Sequence, residues 1–284
     1  MMNNSKYSEV LKQRSYKDVE ALLKRWDVLS ANMNSVPSGA PIILPDIFLL
    51  SQSGAGRTYF LNLLADFLTE KGNLIDFYGN VKYFEFMLNY CSPDAQFTEI
   101  QRLMHEVNNA GGFRSEYRGI IFIDIDEWRT HFEEKHFISF LEYLSDNSDD
   151  WLVVLSLSDK AEEDTVCAES VISSFLRAER VRIEAPTASE LLSYVERKLQ
   201  LYGLSLKLEA KDVIFDSITA LLKNKYFDGY KTVKMFARDI AYQTYSSSNC
   251  STELSAADVD VFKADGEYIQ KMMMKIANSQ KIGF

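Results

Sequence analysis

Two short stretches hold the side chains best suited to chemistry. In Ser51-Gln52-Ser53-Gly54-Ala55-Gly56-Arg57-Thr58, two glycines, a guanidinium and a hydroxyl follow the apolar run Ile47-Phe48-Leu49-Leu50. In Asp124-Ile125-Asp126-Glu127, carboxylates follow the apolar run Ile120-Ile121-Phe122-Ile123. The first stretch matches the phosphate-binding pattern G-x-x-x-x-G-K-[ST] with two departures: Ser51 replaces the first glycine and Arg57 replaces the lysine. In that pattern a flexible backbone turns consecutive N–H groups and a helix N-terminus toward an anion, while the basic side chain and the hydroxyl reach phosphate and Mg²⁺. Gly54 and Gly56 keep the loop free to curl, and Thr58 keeps the hydroxyl for the metal. Arginine preserves the charge of lysine, but its broad planar fork is not a point charge.

These groups need a frame. A strand of continuous apolar residues is covered on both faces, as in a parallel α/β sheet, and carboxylates at its C-terminal end sit where such sheets bind ligands. The buried-strand runs are Ile47–Leu50, Ile120–Ile123, Leu152–Leu157 and Val181–Ile183, with a further short strand expected over Leu74–Tyr78. Between them, apolar residues at helical spacing predict helices: Phe60, Leu63, Leu64, Phe67 and Leu68; Tyr83, Phe84, Phe86 and Met87; Phe97, Ile100, Leu103, Met104 and Val107; Phe137, Phe140, Leu141 and Leu144. Gly72 after Lys71 is a C-terminal stop, and Gly111-Gly112 is a break. The alternation predicts a doubly wound parallel sheet over about residues 45–185.

A helix is expected before it, over Tyr16–Ala31, followed by an extended connector through Pro37, Gly39, Pro41 and Pro45. From Ser189 onward the pattern is all helical: Leu191, Leu192, Val195 and Leu199; Val213, Ile214, Ile218 and Leu221; Val233, Phe236, Ile240 and Ala241. Ser246-Ser247-Ser248 interrupts it, and Ser255-Ala256-Ala257-Asp258 restarts a last helix with Ser255 as cap. The Met272-Met273-Met274 run fits core filling or an adaptable contact surface, and the apolar end Lys281-Ile282-Gly283-Phe284 suits docking on the chain or on a partner.

Composition excludes several classes. The chain has 284 residues, 46% hydrophobic and 25% charged, as expected of a globular protein. A formal net charge of -10 argues against a broad nucleic-acid or anionic-membrane surface. Cys91, Cys167 and Cys250 lack metal-ligand spacing and suit a reducing compartment, and His105, His131 and His136 form no zinc pattern. The stretch Met1 to Leu11 is polar where a signal peptide needs an apolar core, and no apolar run approaches membrane-spanning length, so a cytoplasmic protein is expected.

An α/β phosphate-loop domain followed by a helical bundle, with the chemistry placed this way, resembles the AAA+ ATPase family, closest by its lid to the Rubisco-activase-like branch. The resemblance covers about Asp46 to Tyr245. It implies a fold class of α/β, with a P-loop NTPase parallel sheet core and a C-terminal all-helical lid, divided as residues 1–44 (helical extension and linker), 45–187 (nucleotide-binding domain) and 188–284 (lid and tail). It implies ATP and Mg²⁺ as ligands. The nucleotide contacts would be Ser53, Gly54, Ala55, Gly56, Arg57, Thr58 and Tyr59, with Ser158-Asp159 at the sensor 1 position. In Phe227-Asp228-Gly229-Tyr230-Lys231 a glycine precedes a cation, as where the sensor 2 helix opens, which puts Lys231 at or beside the sensor 2 arginine. Arg177 or Arg180 is placed like the arginine that reaches a neighbouring subunit's nucleotide.

The metal residues would be Thr58 with Asp124 or Asp126. If Asp124 takes the metal, Ile125 stands where a glutamate would orient water, and hydrolysis is weak or lost. If the register shifts by two residues, Asp126 takes the metal and Glu127 the water. The length of the apolar run favours Asp124. Two readings stay open: an oligomeric ATPase that remodels or assembles a protein partner, as a homo-oligomer or with a related ATPase, and a hydrolysis-deficient scaffold or regulatory subunit. A nucleic-acid loader is disfavoured by the acidic balance, and no membrane partner is expected.

Overall fold

The computed structural model describes residues 13–34, 44–52, 54–75, 79–109, 119–147, 151–224, 227–247 and 251–279. Most of the Pro-rich connector, Ser53, Gly111-Gly112, Ser248 and the apolar C-terminus lie outside these residues. The chain divides into two compact units, one of Met1–Gln52 with Arg57–Glu184, the other of Ser53–Gly56 with Ala185–Phe284.

In the first unit, β1 (Asp46–Ser51), β2 (Lys82–Met87), β3 (Gly119–Asp124), β4 (Trp151–Leu157) and β5 (Ala178–Ile183) form a parallel five-stranded sheet in the order β2-β3-β4-β1-β5. The strands alternate with α1 (Lys17–Asn34), α2 (Arg57–Lys71), α3 (Pro93–Asn109), α4 (Lys135–Asn147) and α5 (Glu162–Ser173). The central strands β3, β4 and β1 are the continuous apolar runs, because both of their faces are covered. On one face Phe48, Leu50, Ile121, Ile123, Val153 and Leu155 pack with Leu103 of α3, Phe140 and Leu144 of α4 and Ile172 of α5. The intervening residues Ile47, Leu49, Ile120, Phe122, Leu152 and Val154 are equally buried and point to the opposite face. Helix α1 buries Val19, Leu22, Leu23 and Trp26, and Arg25 ion-pairs with Glu179 of β5.

Two expectations over the segment after α2 are corrected. Leu74 and Ile75 are not strand: Gly72 (φ 70°) ends α2, its N–H donating to Thr69 O and that of Asn73 to Leu68 O, and Leu74 itself has φ 52°, incompatible with a strand. The remainder of that expected strand, residues 76–78, lies outside the described residues. The expected helix at Tyr83–Met87 is instead β2. So short an aromatic-rich run fits either period, and the open edge of β3 decides: β2 pairs in register with it, Lys82 with Gly119 through Met87 with Asp124. As an edge strand it keeps Lys82, Glu85 and Met87 exposed.

The second unit contains α6 (Ala188–Leu201), α7 (Leu208–Leu222), α8 (Gly229–Ser246), α9 (Ala256–Val259) and α10 (Glu267–Ser279). Thr187 opens α6 with a reciprocal cap: its hydroxyl accepts from Glu190 N at 3.3 Å and Glu190 Oε2 accepts from Thr187 N at 2.8 Å. Ser255 and Asp258 make a similar closure at α9. Leu191, Val195, Ile214, Ile218, Val233, Phe236, Ile240, Phe262 and Ile269 form the core. Strands do not stop entirely at Ser189: β6 (Ser205–Leu206) and β7 (Glu253–Leu254) pair in parallel. Met272 is buried and Met274 exposed, so the methionine run is split between core and surface.

Asp46 begins β1 with its carboxylate accepting from Val153 N at 2.9 Å. Burial pushes its pKa from 3.8 up to about 6, against the lowering effect of that hydrogen bond. Between these values the folded chain holds a proton that the unfolded chain has lost, so stability falls as pH rises through this window, and above about 6 the cost is complete. Asp46→Asn keeps an acceptor for Val153 and removes the charge. It is expected to flatten the stability profile over this window and to add about 1–3 kcal/mol near neutral pH, measured by urea unfolding at several pH values.

Candidate functional site

Because β1, β3 and β4 are adjacent and parallel, the loops leaving their C-terminal ends share one edge of the sheet. The first passes through Gly54 (φ 73°) and Gly56 (φ 99°), conformations that L side chains rarely adopt, and enters α2 at Arg57. Arg57 is thus in the first turn of α2. Its Nη1 forms an ion pair with Asp124 Oδ2, the two side chains being 31% and 14% exposed. The other oxygen, Asp124 Oδ1, accepts the N–H of Asp126 at 3.0 Å. Thr58 is exposed, and its hydroxyl has no partner among the described residues, while its carbonyl accepts from Asn62 Nδ2 at 2.7 Å.

Asp126 lies in the turn beyond β3 and is spanned by donors. Oδ1 accepts from Ser158 N at 2.7 Å and Arg129 Nη2 at 2.9 Å, and Oδ2 accepts from the Ser158 hydroxyl, with Lys160 Nζ at 3.7 Å. Burial raises its pKa, but the Ser158 hydrogen bonds and the charges of Lys160 and Arg129 outweigh it and hold the carboxyl below its ordinary value. Arg129 also donates to Ser158 O and pairs with Asp164 at 3.2 Å, so this cluster ties the end of β3 to that of β4.

Glu127 turns elsewhere. Its Oε2 accepts from Tyr90 N at 3.0 Å, in the segment after β2, where the Tyr90 ring stacks on His131 with centroids 3.9 Å apart. Glu134 sits beneath: burial raises its pKa, yet hydrogen bonds from Gln96, His131 and Tyr90 hold it below the ordinary value. Asp159 pairs with Arg182 of β5 at 3.1 Å. Arg180 pairs with Glu169 at 3.0 Å and Glu162 at 3.5 Å, so it has partners within its own subunit. Arg177 is exposed and its guanidinium has none among the described residues. Tyr59 is 38% exposed and meets the Tyr16 ring edge-on.

In the second unit, Gly54 lies against the start of α8. Its carbonyl accepts from Tyr230 N at 3.0 Å, and a Cβ on Gly229 (φ 45°) would stand 2.2 Å from Gly54 O. Lys231 follows, 78% exposed, with Asp228 at 3.4 Å. Ala55 is fully buried. Of the sequence-derived site residues, Arg57, Asp124, Asp126 and Ser158 are therefore brought into one connected group, and Glu127, Asp159 and Arg180 are bonded outside it.

Sequence reasoning missed Arg129, Lys160 and Ser156. The last carried a signal: a lone hydroxyl in the apolar run of β4. Ser156 pairs in register with both Leu49 and Asp124, so alternation puts Ser51, Ser156 and Asp124 on the same sheet face. The hydroxyls of Ser51 and Ser156 are fully buried and lack hydrogen-bond partners among the described residues. An unmet buried hydroxyl costs about 1–3 kcal/mol, which marks this corner as built for something polar.

A magnesium ion held through Thr58 and a strand-end carboxylate would need free carboxylate oxygens. Both oxygens of Asp124 and both of Asp126 are engaged, and among the described residues no group of three or more His, Cys, Asp or Glu is arranged to hold a metal. The residues present do not fit the ion.

No family model and no curated protein matches the chain. Solved structures do. PCH-2 of C. elegans is 10% identical, with 94% of this chain and 70% of that chain covered and a TM-score of 0.51. Two mutants of RuvB from Thermotoga maritima are similar at 11% and 12% identity, covering 92% and 93% of this chain and 77% of theirs, each with a TM-score of 0.50. These likenesses establish the fold, that of the AAA+ P-loop NTPases.

The Gly54–Gly229 approach predicts a position-specific cost. Gly72→Ala, at φ 70° with open space around it, is expected to lose about 1 kcal/mol from backbone strain alone. Gly229→Ala must also displace the Gly54 carbonyl and is expected to lose about 2 kcal/mol more, measured by chemical unfolding.

Proposed function

We propose that this chain binds a purine nucleoside triphosphate at the α2 N-terminus and turns it over slowly or not at all, acting as a nucleotide-responsive subunit of an assembly. The observation that carries this reading is the Arg57–Asp124 ion pair, with Glu127 bonded to Tyr90. The positive-φ glycines, the helix opening at Arg57, the free Thr58 hydroxyl and the AAA+ fold support binding. Phosphoryl transfer depends on positioned charge and a positioned water. An arginine tied to Asp124 in place of a lysine, and a glutamate committed to a backbone N–H in place of a water, leave that arrangement incomplete, which costs several kcal/mol of barrier, roughly a thousandfold or more in rate.

The assembly would use Arg177, whose guanidinium is exposed with no partner among the described residues, whereas Arg180 is neutralised by Glu162 and Glu169. The net charge of -10 favours a protein partner over nucleic acid, and no helix among the described residues is long and apolar enough to cross a membrane. A cytoplasmic location is part of this reading.

Phosphate release and sedimentation, each with and without ATP, test both halves. Turnover is expected to be near background and unchanged in Glu127→Gln, and ATP is expected to promote association that Arg177→Ala abolishes. A robust rate that vanishes in Glu127→Gln would replace this reading by that of an active ATPase.

A further inference from the structure

We infer that the nucleotide's polyphosphate binds here without a divalent cation, the Arg57 guanidinium supplying the positive charge beside Asp124; this rests on the nucleotide reading above. The Arg57 guanidinium already occupies Asp124 Oδ2, and a metal at that oxygen would have to displace it. Asp126 offers no substitute, since four donors already surround its two oxygens. A dication brought next to Arg57 would also meet a like charge at short range.

The guanidinium is suited to the role. It has five N–H donors, and among the described residues only Nη1 has a partner, leaving the rest of the fork for phosphate oxygens. The buried hydroxyls of Ser51 and Ser156, without partners among the described residues, share the Asp124 face of the sheet and supply donors that an anion or an intervening water would satisfy. With lysine at this position, a single ammonium would reach the phosphate and leave Asp124 open to a metal. Arginine bridges carboxylate and phosphate itself.

Calorimetric titration of the full chain with ATP, once in EDTA and once in excess Mg²⁺, reads this directly. ATP is expected to bind in EDTA at least as tightly as with Mg²⁺. Arg57→Lys, checked for folding by circular dichroism, is expected to weaken binding in EDTA by about tenfold and to make it respond to Mg²⁺. Binding by the wild-type chain that disappears in EDTA and returns with Mg²⁺ would overturn the inference while leaving the nucleotide reading intact. Binding in neither condition would overturn the nucleotide reading and this inference with it.

Discussion

Arg57 and Asp124 hold each other across the edge of the parallel sheet, and the rest of the candidate site is arranged around that contact. Arg57 is delivered by the five-residue passage from β1 to α2, and Asp124 by the last position of β3. Their side chains are only partly exposed, so the pair is less screened than a surface ion pair. It also sets the local electrostatics: the carboxylate faces an opposite charge and one arm of the guanidinium is spent, while its remaining donors have no partner among the described residues. An arginine at this position therefore changes what the loop is suited to bind, even though the net charge is that of lysine.

The neighbouring carboxylates are fixed by a second set of contacts. Asp126, Ser158 and Arg129 join the ends of β3 and β4, which steadies the corner in which Asp124 sits. Glu127 is drawn the other way by Tyr90, whose ring is stacked on His131. Three acidic residues within four positions thus have three separate duties: pairing with Arg57, stapling two strand ends, and holding the segment after the edge strand. The Gly54 carbonyl caps α8 through Tyr230 N, a contact that only two glycines in positive-φ conformations allow at such close range.

Much of the fold was legible because buried parallel strands must be continuous apolar runs, as Ile120–Ile123 and Leu152–Leu157 are, and because amphipathic helices repeat at their own period. The edge strand was not. Lys82–Met87 takes its structure from the open side of β3, a tertiary cause that a six-residue aromatic run does not reveal. In the site, residue types and order were legible, and so was Asp124 as the strand-end carboxylate. Partners were not: Arg57 meets Asp124 across 67 positions and Asp126 meets Ser158 across 32, distances that only the strand order closes. Arg180 was singled out for a neighbouring subunit by its position, and the acidic face of α5 that occupies it is visible only once α5 packs beside β5.

The central claim is that Arg57 and Asp124 act as one unit, and a double-mutant cycle measures that coupling. Unfolding free energies of the wild-type chain, Arg57→Gln, Asp124→Asn and the double variant would be compared in the absence of nucleotide. The two single losses are expected to sum to about 1–2 kcal/mol more than the loss in the double variant. Additivity within about 0.3 kcal/mol would contradict it, showing that the two residues sit together without depending on each other.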